Sequence, residues 1–257
     1  MKIYCLAALA IVLMIALLGT AAAARAQSVP IDKFQALTHE DNDGGKLLYR
    51  LLTPANSGAD KKHPLLIFLH GAGERGNDNK AQLKWGAKFM LAAAEKHGCY
   101  VVVPQCPTGK KWAEVDWSQQ THVMPKEPSE SIRLLMEVIA GMQKKLSIDT
   151  ERLYIMGLSM GGYGTWDTIQ RYPDMFAAAV PICGGGDETG ADRIKTPVWA
   201  FHGDKDGAVP VERSRKMIAA IRANGGEPKY TEYPGCGHNA WSPAMADPEL
   251  PKWLFSK

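Results

Sequence analysis

The sequence has almost no surplus charge of either sign. Its 30 Lys and Arg residues stand against 27 Asp and Glu, a net +3 at pH 7. Lys2 and Arg25 supply two of those charges within a 26-residue start that holds no acid, so the rest is close to neutral. A chain without a basic face gives no footing for nucleic acid or for an anionic surface as partner. Metal-ligand spacing is missing too: there is no Cys-x-x-Cys and no His-x-x-x-His, so no zinc site is expected. The triple glycine Gly184-Gly185-Gly186 does not stand in a strand–Gly-x-Gly-x-x-Gly–helix arrangement, which argues against a nucleotide site. Internal repeats are absent. Aromatic residues are only 8% of the chain, so the positions of its 7 tryptophans carry information.

Long apolar runs are also scarce, and the one that exists is N-terminal. Lys2 gives a positive start, Ile3 to Leu18 an apolar core, and Ala24-Arg25-Ala26 a small-x-small cleavage pattern. Residues 1–26 therefore read as a secretory signal cut after Ala26. The rival is an uncleaved anchor, but the run is short for a bilayer span. The mature chain, residues 27–257, is expected to be a single domain, periplasmic or secreted, with no stable membrane association. Four cysteines remain there: Cys99, Cys106, Cys183 and Cys236. Export permits two disulfides with three possible pairings; buried free thiols are the other reading.

Within the mature chain, short apolar runs alternate with helical patterns. Phe34–Leu37 and Lys46–Leu52 flank a turn-forming Asp41-Asn42-Asp43-Gly44-Gly45, the pattern of a hairpin. Buried strands are expected at Leu65–Leu69, Tyr100–Val103 (ended by Pro104), Leu153–Met156, Ala177–Ile182, Val198–Phe201 and Tyr230–Tyr233. Helices are expected over Leu83–His97, Ser129–Leu146, Tyr163–Tyr172, Val211–Asn224 and Leu250–Phe255, with a turn at Asp149-Thr150. This alternation implies an α/β fold, a mostly parallel sheet with helices on both faces. Ligands of such sheets bind at the carboxyl ends of the strands, where the glycine-rich loops lie.

Gly157-Leu158-Ser159-Met160-Gly161 follows the central strand and opens a helix. A serine there can sit at a strained bend, and a side chain at Gly157 or Gly161 would crowd the strand against the helix. Serine needs a base to take its proton, and the base needs a carboxylate to fix its tautomer. His238 follows the last strand on a glycine-flanked loop and is the expected base. His70 and His202 sit at strand ends and read as loop-shaping residues. The acid should fall between serine and histidine; Asp206 is favoured over Asp204, which reads as a turn former. For the oxyanion, Met160 offers one amide and the loop after Leu69 the second, with Ala72 first and Gly73 next. Trp112, Trp117 and Trp241 are candidates to line a substrate cleft.

Further motifs surround these: Phe68-Leu69-His70-Gly71-Ala72-Gly73-Glu74-Arg75-Gly76, Pro104-Gln105-Cys106-Pro107, Gly161-Gly162-Tyr163-Gly164-Thr165-Trp166, Phe201-His202-Gly203-Asp204-Lys205-Asp206 and Pro234-Gly235-Cys236-Gly237-His238-Asn239-Ala240-Trp241. Together they resemble the α/β-hydrolase esterases often labelled "predicted peptidase", relatives of the phospholipase/carboxylesterase, feruloyl-esterase and polyhydroxybutyrate-depolymerase groups. The resemblance covers roughly residues 34–257. It implies an α/β-hydrolase fold with Ser159 as nucleophile, His238 as base, Asp206 as acid and Ala72 and Met160 at the oxyanion. It implies a carboxylic ester as substrate, small or carried by a saccharide, lipid or polyester, and no metal or organic cofactor. Short-peptide hydrolysis is the alternative activity; a non-catalytic binding module is a third.

Overall fold

The computed structural model describes residues 30–257 apart from Ala59 and Ser118. The signal segment read at residues 1–26 lies outside the described residues. β1 (Gln35–Glu40) and β2 (Lys46–Leu52) form the expected hairpin. Asp41 organises its turn, accepting the amides of Asp43 and Gly45 on Oδ1, while Gly44 takes φ +82°. The chain continues through β3 (His63–Leu69), α1 (Ala87–His97), β4 (Tyr100–Gln105), α2 (Glu130–Lys145), β5 (Ile148–Leu158) and α3 (Met160–Arg171). β6 (Ala178–Ile182), β7 (Trp199–Gly203), α4 (Glu212–Ala223), β8 (Lys229–Tyr233), α5 (Trp241–Ala246) and α6 (Glu249–Leu254) complete it.

The eight strands form one sheet in the order β1-β2-β4-β3-β5-β6-β7-β8. β1–β2 and β2–β4 are antiparallel, and every pairing from β4 to β8 is parallel. This is the α/β-hydrolase fold. Strand alternation sends side chains to two cores. Leu65, Ile67 and Leu69 of β3 join Ile155 of β5 and the inner faces of α2, α3 and α4. Leu66 and Phe68 join Tyr154 and Met156 of β5 with α1, α5 and α6. Each fully buried aliphatic side chain contributes roughly 1.5–3 kcal/mol, so β3 and the Leu153–Leu158 part of β5, buried throughout, belong at the centre of the sheet.

Three local outcomes differ from the sequence pattern. Pro104 lies inside β4 rather than ending it. β3 pairs with β4 only over Tyr100–Val102, so Pro104 sits beyond the doubly paired part and faces β2 alone. Asp149-Thr150 does not end an element either; it falls within β5. His63 pairs with Ile148 and Leu65 with Leu153, so β5 carries three extra residues there, and the turn survives as a bulge in which Asp149 Oδ1 accepts the Glu151 amide. The helical spacing from Leu83 begins as a 3-10 turn (Ala81–Leu83) before α1, which stops where Gly98 takes φ +62°. Ser129 caps α2 as expected, its Oγ accepting the Ile132 amide at 3.1 Å. All four described cysteines are free thiols. Among the described residues no helix is long and apolar enough to cross a membrane.

Candidate active site

The site is assembled at the carboxyl edge of the sheet by close backbone packing. A Cβ on Gly157 would lie 2.3 Å from the Gly161 carbonyl oxygen, and one on Gly161 would lie 2.0 Å from the Leu69 oxygen. Only glycine lets α3 start this close to β3 and β5. Ser159, forced round the corner, takes φ +53° and ψ −118°, a strained conformation for a residue with a side chain. Its amide is held by the Ile182 carbonyl at 2.9 Å. Similar bonds continue the sheet into the next loops: Cys183 N to Phe201 O at 2.9 Å, and Asp204 N to Tyr233 O at 3.2 Å. Cys183 also has positive φ, +48°.

His238 reaches back to Ser159, its Nε2 lying 2.9 Å from Oγ, while its Nδ1 lies 2.7 Å from Asp206 Oδ2. An ionised carboxylate only accepts, so the proton is on Nδ1, and Nε2 presents a lone pair to the serine hydroxyl. Asp206 has no exposed side-chain surface. Burial works against its charge, yet hydrogen bonds from His202 and His238 and the amides of Val209 and Ala208 hold its carboxyl well below the usual carboxylate range. Asp204 turns elsewhere: its Oδ1 accepts the Gly235 amide at 2.6 Å, tying the acid loop to the histidine loop.

His202 does more than shape its loop. Its Nε2 lies 3.0 Å from Val209 O and 3.3 Å from Asp206 Oδ2, and its Nδ1 is 2.7 Å from Ser214 Oγ. The ring is wholly buried and braces the carboxylate from behind. The spacing from Asp206, four residues at the end of a strand, was the available sequence signal. His70 is the loop-shaping residue expected. Cys106 N donates to its Nε2 at 2.9 Å, so its Nδ1 carries the proton and donates to Gly71 O at 2.6 Å. Burial pushes this imidazole down to about 4. A Cβ on Gly71 would lie 3.6 Å from Ser159 Cβ, which puts the loop carrying Ala72 beside the serine. Arg75 Nε donates to Ala72 O at 2.9 Å and steadies that peptide. Neither the Ala72 nor the Met160 amide donates a hydrogen bond among the described residues, and Met160 opens α3, at the positive end of its dipole.

The three tryptophans have different places. Trp241 stands edge-on to the His238 ring at 5.4 Å and packs on Trp85 at 5.8 Å. Trp117 is half-buried against Tyr163. Trp112 is fully buried; its indole donates to His70 O at 3.0 Å, supporting the loop after β3 from within the core. Cys183, Asp206 and His238 offer ligand atoms within 4.8 Å of one another. A metal there would have to displace the His238–Asp206 bond, and burial holds the Cys183 thiol far above its ordinary range.

A family model described as phospholipase/carboxylesterase matches residues 54–249. The chain belongs to that family. Among solved structures, this phospholipase/carboxylesterase-family chain is similar to a thermostable esterase. The two are 39% identical with a TM-score of 0.81, over 88% of this chain and 63% of the other. It is 30% identical over 139 residues to the bifunctional acetylxylan esterase/xylanase XynS20E of Neocallimastix patriciarum, 54% of this chain and 18% of that protein. It is likewise 30% identical over 154 residues to poly(3-hydroxyalkanoate) depolymerase C of Paucimonas lemoignei, 58% of this chain and 35% of that protein. The chain thus spans only a minor part of these two relatives.

Proposed function

We propose that the protein is an exported serine esterase, with residues 27–257 forming one catalytic domain that cleaves carboxylic esters through an acyl-enzyme. The reading is carried by the unbroken contact from Ser159 Oγ through His238 to Asp206. Ser159 Oγ attacks the ester carbonyl as its proton passes to His238 Nε2. The Ala72 and Met160 amides receive the negative oxygen, and Asp206 steadies the imidazolium. The tetrahedral adduct collapses, the alkoxide leaves with the proton from Nε2, and the acyl group stays on Ser159. Water then attacks the acyl carbon, gives a proton to Nε2, and the second collapse returns that proton to Ser159 and releases the acid. The bent Ser159 backbone leaves the half-buried serine with its Oγ already against His238 Nε2. Ser159→Ala should lower kcat on a small 4-nitrophenyl ester by roughly 10³-fold or more, and should abolish labelling by a fluorophosphonate. Wild-type turnover in that variant would overturn the assignment.

A further inference from the structure

Beside the serine site lies a group of buried hydrogen-bond donors with nothing to bond. Trp117 Nε1, the Tyr163 hydroxyl, and Arg213 Nε and Nη1 are all buried without a partner. Trp117 and Tyr163 pack together with Ala113, Val115 and Val209. The Arg213 guanidinium lies 5.5 Å from the centre of the Tyr163 ring, and the Trp117 ring lies 6.4 Å from it on centres. Tyr163 is one helical turn beyond Ser159, its amide donating to Ser159 O, and Val209 binds the Asp206 carboxylate through its own amide. The group therefore adjoins the proposed catalytic cluster.

The sequence had marked this corner without explaining it. Within Gly184-Gly185-Gly186 it is Gly185 that makes room for Arg213, while Gly184 packs on the Gly162 backbone and Gly186 on Met217 and Trp166. A Cβ on Gly185 would come within 2.4 Å of Arg213 Nε, and the Gly186 carbonyl accepts from Nη2 at 3.3 Å. Nη2 also meets His122 Nδ1, a ring kept neutral because burial and the guanidinium push it down to about 4. Arg213 is only 1% exposed, and among the described residues no carboxylate forms an ion pair with it. Asp206 is taken by His202 and His238. Burial, the largest influence, raises the Tyr163 hydroxyl, as do the more distant Asp206 and Asp116, while the guanidinium reaches towards it and works to lower it. A hydroxyl facing a guanidinium can only accept there, so its own proton still lacks an acceptor. Arg75 and Lys111 add positive charge over the Trp117 ring, at 6.0 and 5.0 Å.

A guanidinium stays protonated and has no acceptor. A buried charge needs a counter-charge, and a buried donor left unmade is costly. Water brings two protons of its own; an anion brings only acceptors. We infer that Trp117, Tyr163 and Arg213 form a site for one small anion, a carboxylate or a halide. The anion reaches it in one of two ways. It is carried by the substrate, in from the Ser159 side, a source that rests on the esterase reading. Or it is free, arriving through the cavity of about 510 Å³ whose wall includes His122, Lys216 and Glu188.

The test is calorimetric titration of the Ser159→Ala protein with sodium bromide, sodium acetate and monomethyl glutarate at fixed ionic strength. Binding with Kd below about 10 mM is expected for at least one of them, weakened tenfold or more by Arg213→Met and by Trp117→Phe. Bromide and acetate binding identifies a free anion. Binding of monomethyl glutarate alone identifies a carboxylate borne by the substrate. That case also predicts that wild-type enzyme prefers 4-nitrophenyl hydrogen glutarate over its methyl ester, and that Trp117→Phe lowers this ratio of kcat/KM. No binding of any of the three, or binding untouched by both substitutions, overturns the site. Trp117 is on a half-buried loop position, so its variant keeps the test decisive if Arg213→Met does not fold. Because binding is read on inactive protein, failure of the esterase reading leaves the anion result standing, and the reverse.

Discussion

Acid should weaken this protein in part through the buried imidazole of His70, and the size of that part can be worked out. His70 is 1% exposed, and burial holds it near 4 against an ordinary 6.5. The unfolded chain therefore takes up the proton first as pH falls. The His70 contribution to stability is unchanged above pH 6.5, falls below it with a slope approaching about 1.4 kcal/mol per pH unit, and levels off below about pH 4. Between pH 7 and 4.5 the loss is about 2 kcal/mol, a large part of the roughly 5–15 kcal/mol that holds a domain together. Protonation of Nε2 also ends its acceptance of the Cys106 amide, loosening the loop that carries Ala72. The assay is urea unfolding at pH 7, 5.5 and 4.5 and constant ionic strength, on wild type and His70→Gln. Glutamine can still accept the Cys106 amide but cannot titrate. The variant should be less stable at pH 7 yet lose about 2 kcal/mol less than wild type on acidification. His97 and His122, also pushed down, titrate in both proteins and cancel. Equal acid losses in the two would refute the account.

Gly161→Ala drives a methyl to 2.0 Å from the Leu69 carbonyl oxygen and should cost more than about 3 kcal/mol in chemical denaturation, whereas Gly73→Ala, with nothing within 4 Å, should stay within about 0.5 kcal/mol of wild type. His202→Asn removes a brace from the Asp206 carboxylate; kcat on a 4-nitrophenyl ester should fall about tenfold with KM little changed, as steady-state kinetics will show. Ser129→Ala deletes both the cap to the Ile132 amide and the bond to Trp112 O at 2.7 Å, and should lower stability by about 1–2 kcal/mol, read as a lower melting temperature. N-terminal sequencing of protein recovered outside the cytoplasm should begin at Gln27; an intact Met1 would favour the anchor.

The corner that bears Ser159 was legible because its rules are local: two glycines at fixed spacing serve one backbone crossing. That Asp206 rather than Asp204 meets His238 was legible for a similar reason, since the turn-forming character of Asp204 is a short-range property, and it does bond the Gly235 amide. What escaped depends on neighbours far along the chain. Gly185 acquires its reason only from Arg213, which folding brings back against it. The support that Trp112 gives to His70 O crosses 42 positions, and nothing in its surroundings in sequence separates it from Trp117. Pro104 could continue β4 because of which strand did not reach it, a fact of register that composition does not carry.

The bonds that run from Ser159 to Ile182, from Cys183 to Phe201 and from Asp204 to Tyr233 have a wider meaning. They extend the sheet through Ser159 and to within a few residues of Asp206 and His238, so the spacing of the proposed reacting groups follows the pitch between strands. Residues 124–126 are held to the body by separate tethers, the Met124 amide on Asp187 and the Pro125 and Lys126 carbonyls on Arg171. Descendants of this chain can thus change that stretch without disturbing the strand spacing on which the proposed site depends.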